Sequence, residues 1–499
     1  MPGLAIRSSI IVLLFLSGAS LARAQVSQNR TQAQSTQSQQ TGQQNDSNDT
    51  STQATEPHNY TTGEEATTGP APSLAPSVTT APLTGAEEFT LSHMGKSHSY
   101  LIPSFQYGQS LITSGTSAFS TSTMESLSTI SGLFALHHVW RRYSFTAQYD
   151  GVGFLYNTDS ALNTSAHNFT LTQGIEGKRS SLILTDVTTY LPQSGYGYAR
   201  FTGLGGIGGS SYGYGGLSTA ATAGLDTQFL PGQSLLTGAS SQLGNTIVGE
   251  YNYLTGPLST VTITGSYVTL WFPGSQYINT DDALLQIGYN HVLSPQNSMG
   301  LSYQAGIFRF GSLGGNFTNH VLLFTYRRTI NNRLALQLGA GPQVNVFDNT
   351  VAQSGYQVSW QANALITYQL ERLAIAVSYL HYTSGGSGIY RGAHTDYTTL
   401  STSLPLSREW SVNLSGGYAY NTALQVARVQ APTLSYNTWY GTFDLTHTLN
   451  RWMSMYMGYN LQEQVTSQAT CIASACGTFY TQQYLSFGIN WHPVLLGIE

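Results

Sequence analysis

Asp150, Glu250 and Asp444 each sit in a run where every second residue is small and polar. Asp150 shares its set with Ser144, Thr146 and Gln148, Glu250 with Thr246 and Asn252, and Asp444 with Thr438, Tyr440 and Thr442. Acids spaced in this way can act as general acids or bases, or bias a water-filled passage towards cations. Catalysis needs groups within reach of one shared site, and these three are widely separated in the chain. The pair His137-His138 sends its rings to opposite faces of a strand, which defeats joint metal binding. The Gly-rich run Gly203–Gly216 lacks G-K-[ST] and a following helix, so it is no phosphate loop. With so many Ser, chance Ser/His/Asp placements carry no weight. No catalytic residue, cofactor or metal site is expected. Cys471 and Cys476, a short C-x4-C, fit a loop-stapling disulfide in an oxidising compartment.

The elements that must position these residues are legible from a period of two. Leu334, Leu336, Leu338, Ala340, Pro342, Val344 and Val346 alternate with Ala335, Gln337, Gly339, Gly341, Gln343 and Asn345. The pattern returns in Tyr356, Val358, Trp360, Ala362, Ala364, Ile366 and Tyr368, set against Gln357, Ser359, Gln361, Asn363, Leu365 and Thr367. Such alternation puts the apolar set on one sheet face and the polar set on the other. Runs this long exceed ordinary globular strands and suit tilted strands crossing about 25 Å of lipid. Charges on a lipid face cost several kcal/mol at mid-bilayer, so Asp150, Glu250 and Asp444 are expected to line the lumen with Gln343 and Gln361. Asp186 shares its parity with Leu182 and Leu184, and the pattern does not assign its face.

Composition agrees. Only 8% of the residues are Asp, Glu, Lys or Arg, against about 25% in soluble domains. A barrel escapes the solubility problem because its outer wall faces lipid. The 32 Tyr suit membrane interfaces. A net charge of −5 argues against nucleic-acid binding. Residues 1–24 read as a signal peptide, with Arg7, the apolar Ser9–Leu16 and the cleavage site Ala22-Arg23-Ala24. Residues 25–88, rich in Gln, Thr, Ser and Pro, are expected to be a disordered periplasmic spacer reaching roughly 45 Å. Residues 89–499 then form the barrel.

From 98–109 to 480–491 the pattern gives about eighteen antiparallel strands, or sixteen if the first hairpin is loop. Tight, often basic turns (Val139-Trp140-Arg141-Arg142, Asn331-Asn332-Arg333, Asn450-Arg451) alternate with longer loops rich in Gly, Ser, Thr or Asn. This layout resembles outer-membrane porins. Ser486-x-Gly488-x-x-Trp491 resembles the C-terminal strand signal read by the barrel-assembly machinery, although the chain continues to Glu499. The longest connection, Leu191–Asn245, resembles by ordinal position the inward-folded third loop of trimeric porins, with Arg200, Tyr212, Tyr214 and Asp226 as candidate constriction residues. His394-x-Asp396 and Asp281-Asp282 resemble rim residues of the aspartyl proteases called omptins. Those barrels are smaller, and strands eight and fourteen would hold the two pairs apart across a wide mouth.

The expected fold is an all-β, up-and-down transmembrane barrel in the outer membrane of a Gram-negative-type bacterium. The expected function is a porin-like channel for small polar or neutral solutes, and the layout is compatible with a homotrimer. The alternatives are an adhesin or receptor acting through its external loops, and an export channel for a secreted polymer.

Overall fold

The computed structural model describes residues 99–116, 119–158, 160, 163–191, 241–273, 277–311, 315–331, 333–350, 353–370, 372–385, 388, 390–424, 435–466, 479–491 and 496–497. The signal segment, the spacer, the loop residues Arg200, Tyr212, Tyr214 and Asp226, and the Cys471/Cys476 pair lie outside them.

Eighteen long strands follow one another. The first nine are β1 (Tyr100–Thr116), β2 (Phe119–Trp140), β3 (Tyr143–Tyr156), β4 (Thr164–Glu176), β5 (Ser180–Leu191), β6 (Gln242–Gly256), β7 (Ser259–Trp271), β8 (Thr280–Ser294) and β9 (Asn297–Arg309). The second nine are β10 (Phe317–Asn331), β11 (Leu334–Thr350), β12 (Gln353–Gln369), β13 (Ala374–Ser384), β14 (Ala393–Pro405), β15 (Trp410–Ala423), β16 (Ser435–Asn450), β17 (Met453–Thr466) and β18 (Phe479–Trp491). Each pairs antiparallel with the next, and β1 pairs with β18 from Phe105↔Trp491 to Thr116↔Tyr480, which closes the ring. Closure removes the sheet edges, as a wall immersed in lipid requires. A two-residue β19 (Leu496–Gly497) continues past His492-Pro493 and pairs with Tyr100 and Leu101. The first hairpin is strand, and longer than its sequence pattern suggests, because Ser, Thr and Gly on both faces of 110–123 hide the alternation.

Side chains sort by parity as the lipid argument demands. Along β8, Leu285, Ile287 and Tyr289 are exposed on the outer wall while Gln286 and Asn290 are buried on the inner. On β11 and β12, Leu338, Val346, Val358 and Trp360 face out and Gln343, Asn345, Gln361 and Asn363 face in. Aromatic residues gather beside the tight turns: Trp140 and Tyr143 flank Arg141-Arg142, and the Arg451 guanidinium lies 4.9 Å from the Trp452 ring. An aromatic girdle with neighbouring cations marks a membrane–water boundary. This is a barrel of the transmembrane type.

The inner wall departs from a purely polar lining. Ile183, Val248, Val268, Leu284, Phe308, Phe310 and Phe317 form one buried cluster inside β5–β10, with Ile278, Phe347 and Leu424 packed against it. Alternation could not reveal it, because Leu284 (inward) and Leu285 (outward) are both apolar.

One local break follows from a single residue. The β10–β11 ladder skips from Val321↔Gln343 to Phe324↔Ala340. Between them stands Pro342, which has no N–H to donate. There the β10 backbone presses on Gly341, where an added Cβ would fall on the Leu322 carbonyl oxygen and beside Leu323 Cα. Backbone cannot yield as a side-chain tip can. Gly341→Ala is therefore expected to destabilise the barrel by about 1–3 kcal/mol, read as a lower urea midpoint for unfolding from vesicles.

Candidate pore constriction

The connection from Ser384 to Ala393 turns into the barrel. Its sequence is Gly385-Gly-Ser-Gly-Ile-Tyr-Arg-Gly392, of which the structure describes Gly385, Gly388 and Tyr390–Gly392. Gly388 (φ 79°) and Gly392 (φ 85°) take the left-handed conformation, which costs residues other than glycine about 1–2 kcal/mol. These two reversals aim the connection inward, across the mouth.

Its contacts reach strands on both sides of it round the ring. Ile278 N–H donates to the Gly388 carbonyl at 2.8 Å, and Leu424 N–H donates to Gly392 at 3.1 Å. Gly385 lies against the Asp282 carboxylate and Thr280 at the top of β8. Gly392 lies against Phe317 of β10 and Leu424, and the Arg391 side chain passes over Gly315. Tyr390 is buried with its ring 5.7 Å from that of Tyr436 on β16. Burial, reinforced by Tyr420, pushes the Tyr390 phenol up to about 12, so it stays neutral at any physiological pH. The connection is thus strapped to β8, β10, β15 and β16, with the inner apolar cluster beneath it.

β13 bends to deliver it. The hydroxyl of Thr383 meets the Gln343 amide on the inner face of β11, and Asn345 Nδ2 lies 3.4 Å away. Asn345 Oδ1 in turn accepts from Asn319 Nδ2 at 2.7 Å and from Gln343 Nε2 at 3.3 Å. Behind the bend, Thr395 donates to Asn421 Oδ1 at 2.7 Å. Amides with both donors and acceptors can hold such a buried network without charge.

The acids expected in the lumen occupy inward positions. Asp150 and Glu250 are buried, and Asp444 is partly exposed with its carboxylate beside Gly458 and near Ser486 Oγ. Glu250 accepts from Asn252, whose Oδ1 takes a hydrogen bond from Thr262 at 2.6 Å. The three lie on β3, β6 and β16 and share no site. Gln361 is inward and buried on β12. Asp186 shares the outer face with exposed Leu184 and accepts from Asn245 Nδ2 at 2.7 Å. His137 points in, bonded to Thr146 at 2.8 Å, and His138 packs edge-on against Trp140 outside. Asp282 faces in and Asp281 out, so that pair is split across the wall.

Sequence reasoning missed this connection. Its Gly-Gly-Ser-Gly start read as an ordinary loop, and only Tyr390 and Arg391, bulky residues between glycines, hint at docking.

No family model and no curated protein sequence matches the chain. Solved structures similar in fold include Pseudomonas aeruginosa OccK2 (OpdF), at 10% identity over 79% of this chain and 98% of that one, TM-score 0.41. The outer membrane protein opdK of the same organism gives 10% identity, 79% and 99% coverage, and TM-score 0.40. Acinetobacter baumannii OccAB4 gives 8% identity, 80% and 99% coverage, and TM-score 0.39.

Proposed function

We propose that the chain is an outer-membrane channel of porin-like layout for small polar or neutral solutes, narrowed at its mouth by the 385–392 connection. The observation that carries this reading is the strapping of that connection to β8, β10, β15 and β16, inside a ring of inward-facing amides and hydroxyls. A ring of eighteen strands encloses room for water and solute. The tight turns lie on the periplasmic side and the longer connections outside. The same reading gives the chain no catalytic role, because its inward acids are dispersed over separate strands.

The test is swelling of liposomes by neutral sugars of graded size. Small sugars are expected to enter, with a sharp size cutoff; no swelling at any size would transfer the function to the external loops.

Ionisable groups at inward positions of the described strands are mostly acidic, and include Glu125, Asp150, Glu250, Asp282 and Asp444 against Arg327. A cation preference is therefore expected, read as a reversal potential in a salt gradient. Asp444→Asn, at a partly exposed inward position, should move that potential towards zero. A wild-type potential already at zero would dispose of the preference.

A further inference from the structure

The ladder between β12 and β13 runs only from Ala362↔His381 down to Gln369↔Ala374. β12 itself continues up to Gln353, still paired on its other side with β11 as far as Thr350↔Gln353. Over Gln353–Gln361 no described strand pairs with β12 on the β13 side. β13 has meanwhile leaned inward, carrying Thr383 behind β12 to Gln343 of β11. The wall therefore has a seam on its loop-side half.

Exposure confirms that the seam is open to the outside. Val346 and Leu338 on β11 are each 42% exposed, but Tyr356 and Val358 beside the seam reach 75% and 64%. Val346 and Tyr356 are direct register partners, so the difference comes from the side that lacks a neighbour.

The lower corner of the seam carries polar groups on the outer face. His381 Nδ1 and the Tyr379 hydroxyl both bond Asp396 Oδ1, each at 2.8 Å. Trp360 stacks on the His381 ring with centroids 4.1 Å apart. His381 stands seven residues above the first residue of β13, and Asp396 nine above the last of β14. At about 3.3 Å per residue and a tilt of about 40°, both lie about 20 Å above the turn side, within an apolar belt about 25 Å tall. An ionisable group facing lipid at that depth marks function. Both described bonds fall on Oδ1, the Asp396 side chain is 36% exposed, and no described Lys or Arg pairs with it. Oδ2 is open to a donor arriving from the membrane.

We propose that the β12–β13 seam is a lateral docking site for a membrane-borne amphiphile with a protonated amine head, which sits on Asp396 while the chain lies along Trp360, Val358 and Tyr356. Charge complementarity selects the amine: an anionic head would meet a carboxylate whose described neighbours are two imidazoles and a phenol, with no lysine or arginine. The indole face adds attraction for a cation in a dry setting.

The test uses the full chain in lipid vesicles and dodecylamine carrying a dansyl group at the far end, followed by energy transfer from tryptophan. Dansyl-tagged lauric acid is the comparison. The amine is expected to bind at least tenfold tighter than the acid, and Asp396→Asn to remove that preference. Trp360→Leu should weaken amine binding, and Trp439→Leu, exposed elsewhere on the outer wall, should not. Continuing the register would place Trp360 opposite Thr383, so a Trp360→Cys/Thr383→Cys disulfide should shut the seam and abolish the binding that the same variant shows when reduced. Equal binding of amine and acid to the wild type, a preference kept by Asp396→Asn, or binding undiminished in the stapled barrel would each overturn the proposal. If Asp396→Asn does not fold, the stapled barrel decides.

Discussion

Gly392→Val should conduct severalfold more current through a planar bilayer than the wild type. Gly392 has φ 85°, and a Cβ there would come within 2.6 Å of Leu424 Cδ1 and 2.7 Å of Phe317 Cε1. Strain in the left-handed conformation costs about 1–2 kcal/mol, and overpacking of the docked face adds about 1–3 kcal/mol. Even the lower sum of about 2 kcal/mol shifts the docked-to-undocked ratio by about thirtyfold. The strands that build the wall are untouched, so the connection leaves its place while the ring persists. Gly441→Val is the control, because nothing lies within 4 Å of a Cβ at Gly441. Its conductance should match the wild type. Three equal conductances would remove the constriction role from 385–392.

Ile287→Arg is the substitution expected to cost the wall most. Ile287 is the central residue of β8 and 48% exposed on the outer wall. An arginine facing lipid at mid-depth costs about 2–4 kcal/mol, a large share of a stability of about 5–15 kcal/mol. Thr442→Lys places a charge at the same relative height of β16 but on the inner face, where water and the hydroxyl of Ser415 are near. Its effect should be much smaller. The measurement is the urea midpoint of each variant in vesicles, with heat-modifiable gel migration as the sign of a folded barrel. A lysine at 442 as damaging as the arginine at 287 would mean that the two faces are not different solvents.

The contrast between what the chain spells out and what it hides has a physical cause. A strand that separates lipid from polar groups writes its two faces into every second residue, so β11 and β12 are readable from Leu334 to Gln369 residue by residue. The tight turns are readable too, since Arg141-Arg142 and Arg451 stand where strands leave the membrane. What fails to show is anything decided across the barrel. Leu284 and Phe308 face in and pack with Phe317, yet their strands carry apolar residues at both parities, and periodicity gives no sign of it. Gly385–Gly392 announces a loop and says nothing of its destination, which depends on Phe317, Leu424 and Tyr436, distant in the chain. The Asp396 cluster shows in the sequence only as His394-x-Asp396 near the start of a strand. Its setting depends on β13 leaning away from β12, an event that involves Thr383 and Gln343 and leaves no local mark.

Adjacent cysteines on β16 test the sidedness of the wall most directly, in a chain whose Cys471 and Cys476 are replaced by serine. Thr442→Cys faces the lumen and Phe443→Cys the membrane, one residue apart at mid-height. With the barrel in vesicles, a charged, membrane-impermeant maleimide should label position 442 and spare 443, whereas a lipid-soluble maleimide should label 443. Labelling of 443 by the charged reagent, or of neither position by the reagent assigned to it, would contradict a barrel that meets lipid with one face of each strand and water with the other.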